Sequence, residues 1–302
     1  MRRQPQTREL LIRRTPALAI ITDLGRAGYA EIAVPPSGAY DRRAYARANR
    51  LVGNPVGAAA IEFVLGPLSF ESPGATTFAV TGIDADITVS AGGRVRSFTT
   101  GETVSAQPGS VVQVQAAQSG LRGYLAVRGG LAGNPVLGSL SHDSLSALGP
   151  APLVAGDRVP IGTLGGPFPS YGGRLAETTA TPDGSATHLR IVVLPGPRDG
   201  LLVAGWEQVT SSTWTVSMAS DRVGMRLEGP AIELSTHQLA ASEPMVRGGI
   251  EVPPDGQPVI LGPDHPTTGG YPVIGVVNPR DSDALAQARP GSTVDIALDR
   301  TG

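Results

Sequence analysis

The residues equipped for chemistry gather in three short stretches. The first runs from a glycine turn, DLGRAGY at 23–29, through a Pro-Pro-Ser-Gly bend into a helical pattern, and holds Asp23, Arg26, Tyr29, Ser37, Asp41 and Asn49. The second, SDRVGMRLEG at 220–229, carries Asp221, Arg222 and Arg226. The third, DHPTTGGYP at 264–272, carries Asp264, Thr267, Thr268, Gly269, Gly270 and Tyr271. Carboxylates such as Asp23, Asp221, Asp264 and, between the stretches, Glu243 can polarise a bond or move a proton. Arginine offers a planar fork matched to carboxylate or phosphate. Two hydroxyls before a Gly-Gly let backbone approach a ligand closely, with Tyr271 as a wall.

Structural roles compete with these. Ser37 or Asp41 is placed to cap a helix, and Asp23 to pair with Arg26. Alternating charges at 220–229 also suit a surface ion ladder of little energy. For the first two stretches the residues leave both roles open. The third carries more polar groups than a hairpin turn requires, which favours function there.

Composition removes several mechanisms. The chain has 302 residues, and its formal charge is 24 − 26 = −2. Every basic residue is arginine, so no Schiff-base, P-loop or biotinylated lysine can exist on it. No cysteine means no thiol nucleophile, disulfide or thiolate metal site. His142, His188, His237 and His265 lack helical metal spacing, and no metal site is expected. There is no Gly-x-Ser-x-Gly elbow, and adjacent Ser141 and His142 point apart on a strand. Neither Gly-x-Gly-x-x-Gly nor a Walker A sequence occurs. Near-neutral charge without a basic run argues against nucleic acid and anionic membranes as partners. Nothing approaches the roughly 18–20 apolar residues of a membrane span, and no secretory signal pattern is present, so a soluble cytoplasmic chain is expected.

The elements that must position these groups read as mainly β. Glycine (40) and proline (27) punctuate short Val-rich segments. Residues 10–22 read as a strand pair. Strands are expected at Ile61–Leu65, Leu68–Phe70, Thr77–Thr81, Asp86–Val89, Val95–Thr99, Val111–Gln115 and Gly123–Val127, with strand text resuming at Leu189–Leu194. One helix is expected over 39–52, with Tyr40, Ala44, Ala48, Leu51 and Val52 on one apolar face and Gly53 as its stop. A Gly/Pro/Ser/Thr-rich linker over 166–187 separates an N-terminal domain at 1–165, which carries the helix insert, from a C-terminal domain at 188–302. Three echoes at nearly constant offset suggest duplication: Ala59–Glu62 with Ala240–Glu243, Gly82–Asp84 with Gly262–Asp264, and Pro108–Ser110 with Pro290–Ser292.

Long motifs also carry a resemblance. DLGRAGY at 23–29, VPPSGAYDRRAYARANRLVGNP at 34–55, LAVRGGL at 125–131, SDRVGMRLEG at 220–229, ASEPMVRGGIEVPPDGQPVIL at 241–261 and TTGGYP at 267–272 resemble the biotin-dependent carboxyltransferase-like family. The resemblance implies two tandem cyclophilin-like β-barrel domains. It also implies a component, of the C type, of an ATP-dependent 5-oxoprolinase, an amidohydrolase opening the cyclic amide 5-oxo-L-proline to L-glutamate. Its partners would be homologues of the A and B subunits of that enzyme, with ATP shared with a partner subunit. The free-standing length favours this over urea carboxylase. The alternatives are carboxyl transfer to urea or a related small amide, with biotin on another protein, and a non-catalytic partner of a kinase inhibitor. Motif position and chemistry together make Arg26, Arg222 and Arg226 candidates for anion contacts. Asp23, Asp221, Glu243 and Asp264 become candidates for polarising or proton-transfer roles, and Tyr29, Ser37 and residues 267–271 for lining the pocket. The chain departs from relatives at Leu140, where an arginine is usual, and at Pro266, where a glutamine is usual. If either position touches ligand in relatives, the change bears on the substrate or on the strength of activity.

Overall fold

The computed structural model describes residues 8–163, 188–236 and 241–299. The linker expected at 166–187 lies outside these residues, as does His237. The chain is mainly β and divides into two compact units. One comprises the described residues of Met1–Gly25, Asp41–His142 and Leu148–Ser185, and the other those of Arg26–Tyr40, Asp143–Ala147 and Ala186–Gly302. Residues 26–40 and 143–147 thus lie in sequence within the span expected for the first domain, yet cluster with the second unit. The reason is chemical: their polar groups bond to Arg222, Arg247 and Asp264, as described below.

The first unit holds two antiparallel sheets. Six strands run in the order Arg158–Pro160, Glu9–Arg14, Leu68–Ser72, Ser110–Val114, Asp86–Ala91 and Arg94–Thr99. Five run in the order Ala19–Thr22, Ala60–Val64, Arg122–Val127, Thr76–Thr81 and Thr103–Ala106. The seven strands expected over 61–127 are all present, with ends moved by one or two residues. Thr103–Ala106 is an additional strand, too short at four residues to show its alternation in sequence. Alternate side chains such as Ile87, Val89, Val112 and Val114 enter one core with Phe63, Phe70 and Phe78.

The helix spans Arg42–Leu51, slightly shorter than expected. Asp41 caps it, accepting from the Ala44 amide at 2.8 Å. Gly53, at φ 69°, ends it with its amide on the Arg50 carbonyl. Ala44, Tyr45, Ala48 and Leu51 are buried, while Arg42, Arg43 and Arg50 are exposed.

The second unit is a closed seven-stranded barrel in the order His188–Pro195, Val273–Val277, Gly249–Glu251, Val259–Leu261, Gly224–Glu228, Thr213–Val216 and Thr293–Leu298. Parallel pairing of His188–Pro195 with Thr293–Leu298 closes it. Leu189, Ile191, Val193, Val294 and Ile296 alternate inward around fully buried Trp214. Two further short helices, Gly205–Thr210 and Pro279–Leu285, belong to this unit. At six and seven residues they are too short to show a periodic face in sequence.

The echoed turns share local geometry. A Cβ on Gly82 would run into the Arg122 carbonyl oxygen, and one on Gly262 into the Arg222 carbonyl oxygen. The segment supplying that carbonyl follows the glycine in the first unit and precedes it in the second, so this likeness is local. Gly82 also has φ 86°. Gly82→Ala is therefore expected to lower urea-unfolding stability by about 1–3 kcal/mol. Gly109→Ala, at φ 76° in open space, should cost less. Equal losses would show that φ alone, and not the facing carbonyl, sets the cost.

Candidate functional site

Within the second unit, three segments bring buried polar groups together. Arg222 lies at the turn preceding strand Gly224–Glu228, and Asp264 at the turn following strand Val259–Leu261. Paired strands with Gly224 opposite Leu261 place those turns side by side. Arg222 Nε donates to Asp264 Oδ2 at 2.8 Å, and Nη2 donates to Oδ1 at 3.1 Å and to the Gly38 carbonyl at 2.8 Å. Arg222 is 2% exposed and Asp264 0%. The Ser144 amide and hydroxyl complete the shell of Asp264 at 3.0 and 2.7 Å. Burial acts to raise the Asp264 pKa, but the Arg222 charge and the Arg222 and Ser144 hydrogen bonds outweigh it and hold the carboxyl below its ordinary value.

The Pro-Pro-Ser-Gly bend enters this cluster. Ser37 has φ 52°, a strained left-handed conformation for a non-glycine residue. Its hydroxyl donates to Asp143 Oδ2 at 2.9 Å and accepts from Arg26 Nη1 at 3.4 Å. Asp143 Oδ1 accepts from the Leu145 and Ser146 amides. Arg247 donates to the Ala39 and Tyr40 carbonyls, lies over the Tyr40 ring and faces Asp283 at 3.7 Å. Arg222 and Arg247 thus each meet a carboxylate, and Arg26 reaches Asp143 through the Ser37 hydroxyl.

His265 adjoins Asp264 and is 4% exposed. Its Nδ1 stands 2.7 Å from the Pro266 carbonyl oxygen, which can only accept, so Nδ1 carries the proton. Burial pushes the His265 pKa down, Arg247 acting with it and the Pro266 hydrogen bond, Asp264 and Asp143 against it. The unfolded chain then binds this proton more readily than the folded one. The contribution of His265 to stability is complete above its ordinary pKa of 6.5 and is lost as pH falls from there through the folded value. Stability measured from pH 8 to 5 is expected to decline less steeply in His265→Asn. An unchanged slope would remove His265 as its source.

Nearby, Glu243–Pro244 and Thr268–Gly269 pair as a two-stranded ribbon, continued by the Met245 amide on the Thr267 carbonyl. Arg198 binds Glu243 as an ion pair. A Cβ on Gly269 would meet the Met245 side chain, whereas one on Gly270 would meet nothing within 4 Å. Tyr271 is 43% exposed. Arg226 is exposed, and its charge faces half-buried Glu251, whose pKa burial raises.

The other residues singled out in the sequence stand elsewhere. Asp221 Oδ1 accepts from the Val223 and Gly224 amides in an exposed turn. The Tyr29 carbonyl accepts from the Ile32 and Val34 amides. Asp23 lies in the first unit, accepting from the Gly25 amide, the Ser139 and Ser141 hydroxyls and the Leu140 amide. In that unit Tyr124 donates to fully buried Glu62 at 2.9 Å. Burial, then Glu62 and Asp41, push the Tyr124 hydroxyl well up, keeping it a donor. Among the described residues no group of three or more metal-ligating side chains gathers, and no helix is long and apolar enough to cross a membrane.

Asp143, Ser144, Arg247 and His265 join the site without a signal of their own in the sequence. The first two sit in SHDS, a dense polar run with no periodicity. His265 has no ligand-spaced neighbour, but that is a test for metals and says nothing about a lone imidazole.

Two β units, one a closed barrel backed by a buried, charge-matched cluster and a Thr-Thr-Gly-Gly ribbon, define a β-barrel protein with an internal polar site. Residues 32–298 match the carboxyltransferase domain, subdomain A and B, and the chain belongs to that family. It is 32% identical over 281 residues to the C subunit of 5-oxoprolinase from Escherichia coli, covering 91% of this chain and 86% of the relative. It is 29% identical over 291 residues to urea amidolyase of Saccharomyces cerevisiae, covering 89% of this chain but 15% of that protein. The crystal structure of Kluyveromyces lactis urea carboxylase superposes with TM-score 0.86 at 25% identity, over 98% of this chain and 28% of that one.

Proposed function

We propose that this chain acts as the C subunit of an ATP-dependent 5-oxoprolinase, opening 5-oxo-L-proline to L-glutamate together with homologues of the enzyme's A and B subunits. The observation that carries this reading is the 32% identity to the Escherichia coli protein over nine-tenths of the chain. ATP enters as co-substrate, shared with a partner subunit in the cytoplasm. In this reading the substrate meets the Thr267–Tyr271 ribbon segment, next to the cluster around Asp264. Asp264, with its acceptor sites filled and its carboxyl held ionised, fixes the loops and polarises without exchanging a proton. Arg226 is the exposed member of the three arginines and receives a carboxylate from solvent. Buried Arg26 and Arg222 shape the bend at Ser37 and Gly38.

The second reading is carboxyl transfer to urea or a related small amide, supported by the 29% identity to urea amidolyase. Biotin would then arrive on another protein, since this chain has no lysine to carry it. Co-expression with the A and B homologues separates the two. The 5-oxoprolinase reading requires ATP hydrolysis and glutamate release that depend on 5-oxoproline. A stable, pure complex that lacks this dependence overturns it. Urea-dependent consumption of carboxybiotin would establish the second reading.

A further inference from the structure

We propose that His265 takes the amide N–H proton of the substrate through Nε2. The proposal rests on the reading of the chain as part of an enzyme acting on a small amide, and it assigns that enzyme's proton acceptor.

The argument begins with the two ring nitrogens. A carbonyl oxygen cannot donate, so the 2.7 Å contact with Pro266 fixes the proton on Nδ1 and leaves a lone pair on Nε2. Among the described residues no group donates to that lone pair. The residue is 4% exposed, and Nε2 is not among the fully sealed, unmatched polar atoms of the described residues, so its lone pair can be met from outside. The neighbouring side chains are otherwise occupied: Asp264 by Arg222 and Ser144, and Asp143 by Ser37 and two amides. Both carboxylates have their oxygens engaged by donors, so the imidazole is the base in this cluster with a lone pair to offer.

The surroundings favour neutral imidazole at rest and tolerate the cation in passing. Burial and Arg247 disfavour the charge, whereas the Pro266 hydrogen bond, Asp264 and Asp143 favour it. A neutral imidazole held in this way can accept one proton and return it.

The chemistry requires such a group. For the lactam to be activated, its carbonyl oxygen bonds to a phosphoryl group from a nucleoside triphosphate and the nucleoside diphosphate leaves. The lactam N–H bond breaks as this happens, its electron pair becoming the C=N bond, and Nε2 forms the new N–H bond. Water adds to that carbon, its oxygen joining carbon and one of its protons going to nitrogen. The imidazolium gives nitrogen a second proton as the ring C–N bond breaks, and the added oxygen loses its remaining proton to solvent. The acyl phosphate left behind is hydrolysed by a second water to the carboxylate and inorganic phosphate. An amide nitrogen attacking a carboxyl donor must shed a proton in the same way, so the role holds in either amide reaction. The Pro266 carbonyl sets the tautomer.

His265→Asn tests this in the assembled complex. The asparagine amide can still donate to the Pro266 carbonyl, but nothing replaces Nε2. Expected are a fall in kcat of about 10²–10⁴-fold, a KM for 5-oxoproline within about threefold, loss of the acidic limb of the kcat/KM–pH profile, and unchanged circular dichroism and complex formation. A kcat within twofold of wild type overturns the proposal. So does a loss of activity that merely follows loss of complex, with the acidic limb intact in the remainder. If the wild-type complex shows no activity on 5-oxoproline, the functional reading fails by itself, and histidine ¹⁵N NMR decides the role of His265. At pH 7.5 a bare Nε2 is expected, and its resonance should move on adding urea or 5-oxoproline to the complex. A protonated Nε2, or one that neither compound moves, overturns the assignment.

Discussion

Asp264→Ala is expected to destabilise the barrel-containing unit by about 3–5 kcal/mol, read as a lowered urea midpoint. The carboxylate is wholly buried and receives Arg222 through two nitrogens and Ser144 through its amide and hydroxyl. Removing it leaves a guanidinium 2% exposed without its counter-charge, and two Ser144 donors without an acceptor. The penalty is mostly the desolvated charge left behind and not the strength of the pair itself. A second variant separates these terms. Adding Arg222→Met to Asp264→Ala removes the orphaned charge and should recover a large part of the loss. If Asp264→Ala costs under about 1 kcal/mol, the pair behaves like an exposed one. The buried cluster would then not be what holds residues 26–40 and 143–147 in the second unit.

In the first unit, Asp23→Ala is expected to cost about 3–5 kcal/mol, the sum of several unmade bonds to a charged acceptor at about 1.5–3 kcal/mol each with partial compensation by water. Asp23 Oδ1 accepts from Ser139 at 2.6 Å, Ser141 at 2.6 Å and Gly25 at 2.8 Å, and Oδ2 accepts from the Leu140 amide at 2.7 Å. The Ser141 hydroxyl in turn accepts from the Asp23 amide, so the loop at 139–141 is fastened from both ends. Asp23→Asn keeps the shape and one acceptor but presents an NH₂ to donors, and should recover under half of the loss. A purely catalytic aspartate would instead leave the urea midpoint unmoved while activity fell. Comparing the two readouts on one variant therefore assigns the residue. Leu140 of this loop packs against the apolar core of the unit.

Much of this molecule is legible from its sequence, and the reason differs by feature. Strand positions over 61–127 follow from period-two alternation bounded by glycine pairs, because a half-buried strand must alternate. The helix follows from Tyr40, Ala44, Ala48 and Leu51, all buried as the spacing demands. Asp41 as its cap is one of two local options, and φ at Ser37 shows why the other is refused. A residue turned left-handed aims its hydroxyl at Asp143 and away from the helix amides. Short elements escape a sequence reading: Thr103–Ala106, Gly205–Thr210 and Pro279–Leu285 are too brief to establish a period of their own.

The three polar stretches are visible as chemistry from the start: residue types, their order and the absence of lysine and cysteine are properties of the chain alone. Their division of labour is not. Arg222 and Asp264 lie 42 residues apart, and only the pairing of strands Gly224–Glu228 and Val259–Leu261 makes them one buried pair. Ser144 and Asp143 join from a loop that carries no periodic signal. Whether a carboxylate serves as acid, anchor or cap depends on how many donors surround it and how much water is excluded. Both are decided when distant segments meet, so Asp23 and Asp264 look alike in sequence to any free aspartate, and become fixed anchors only in the folded protein.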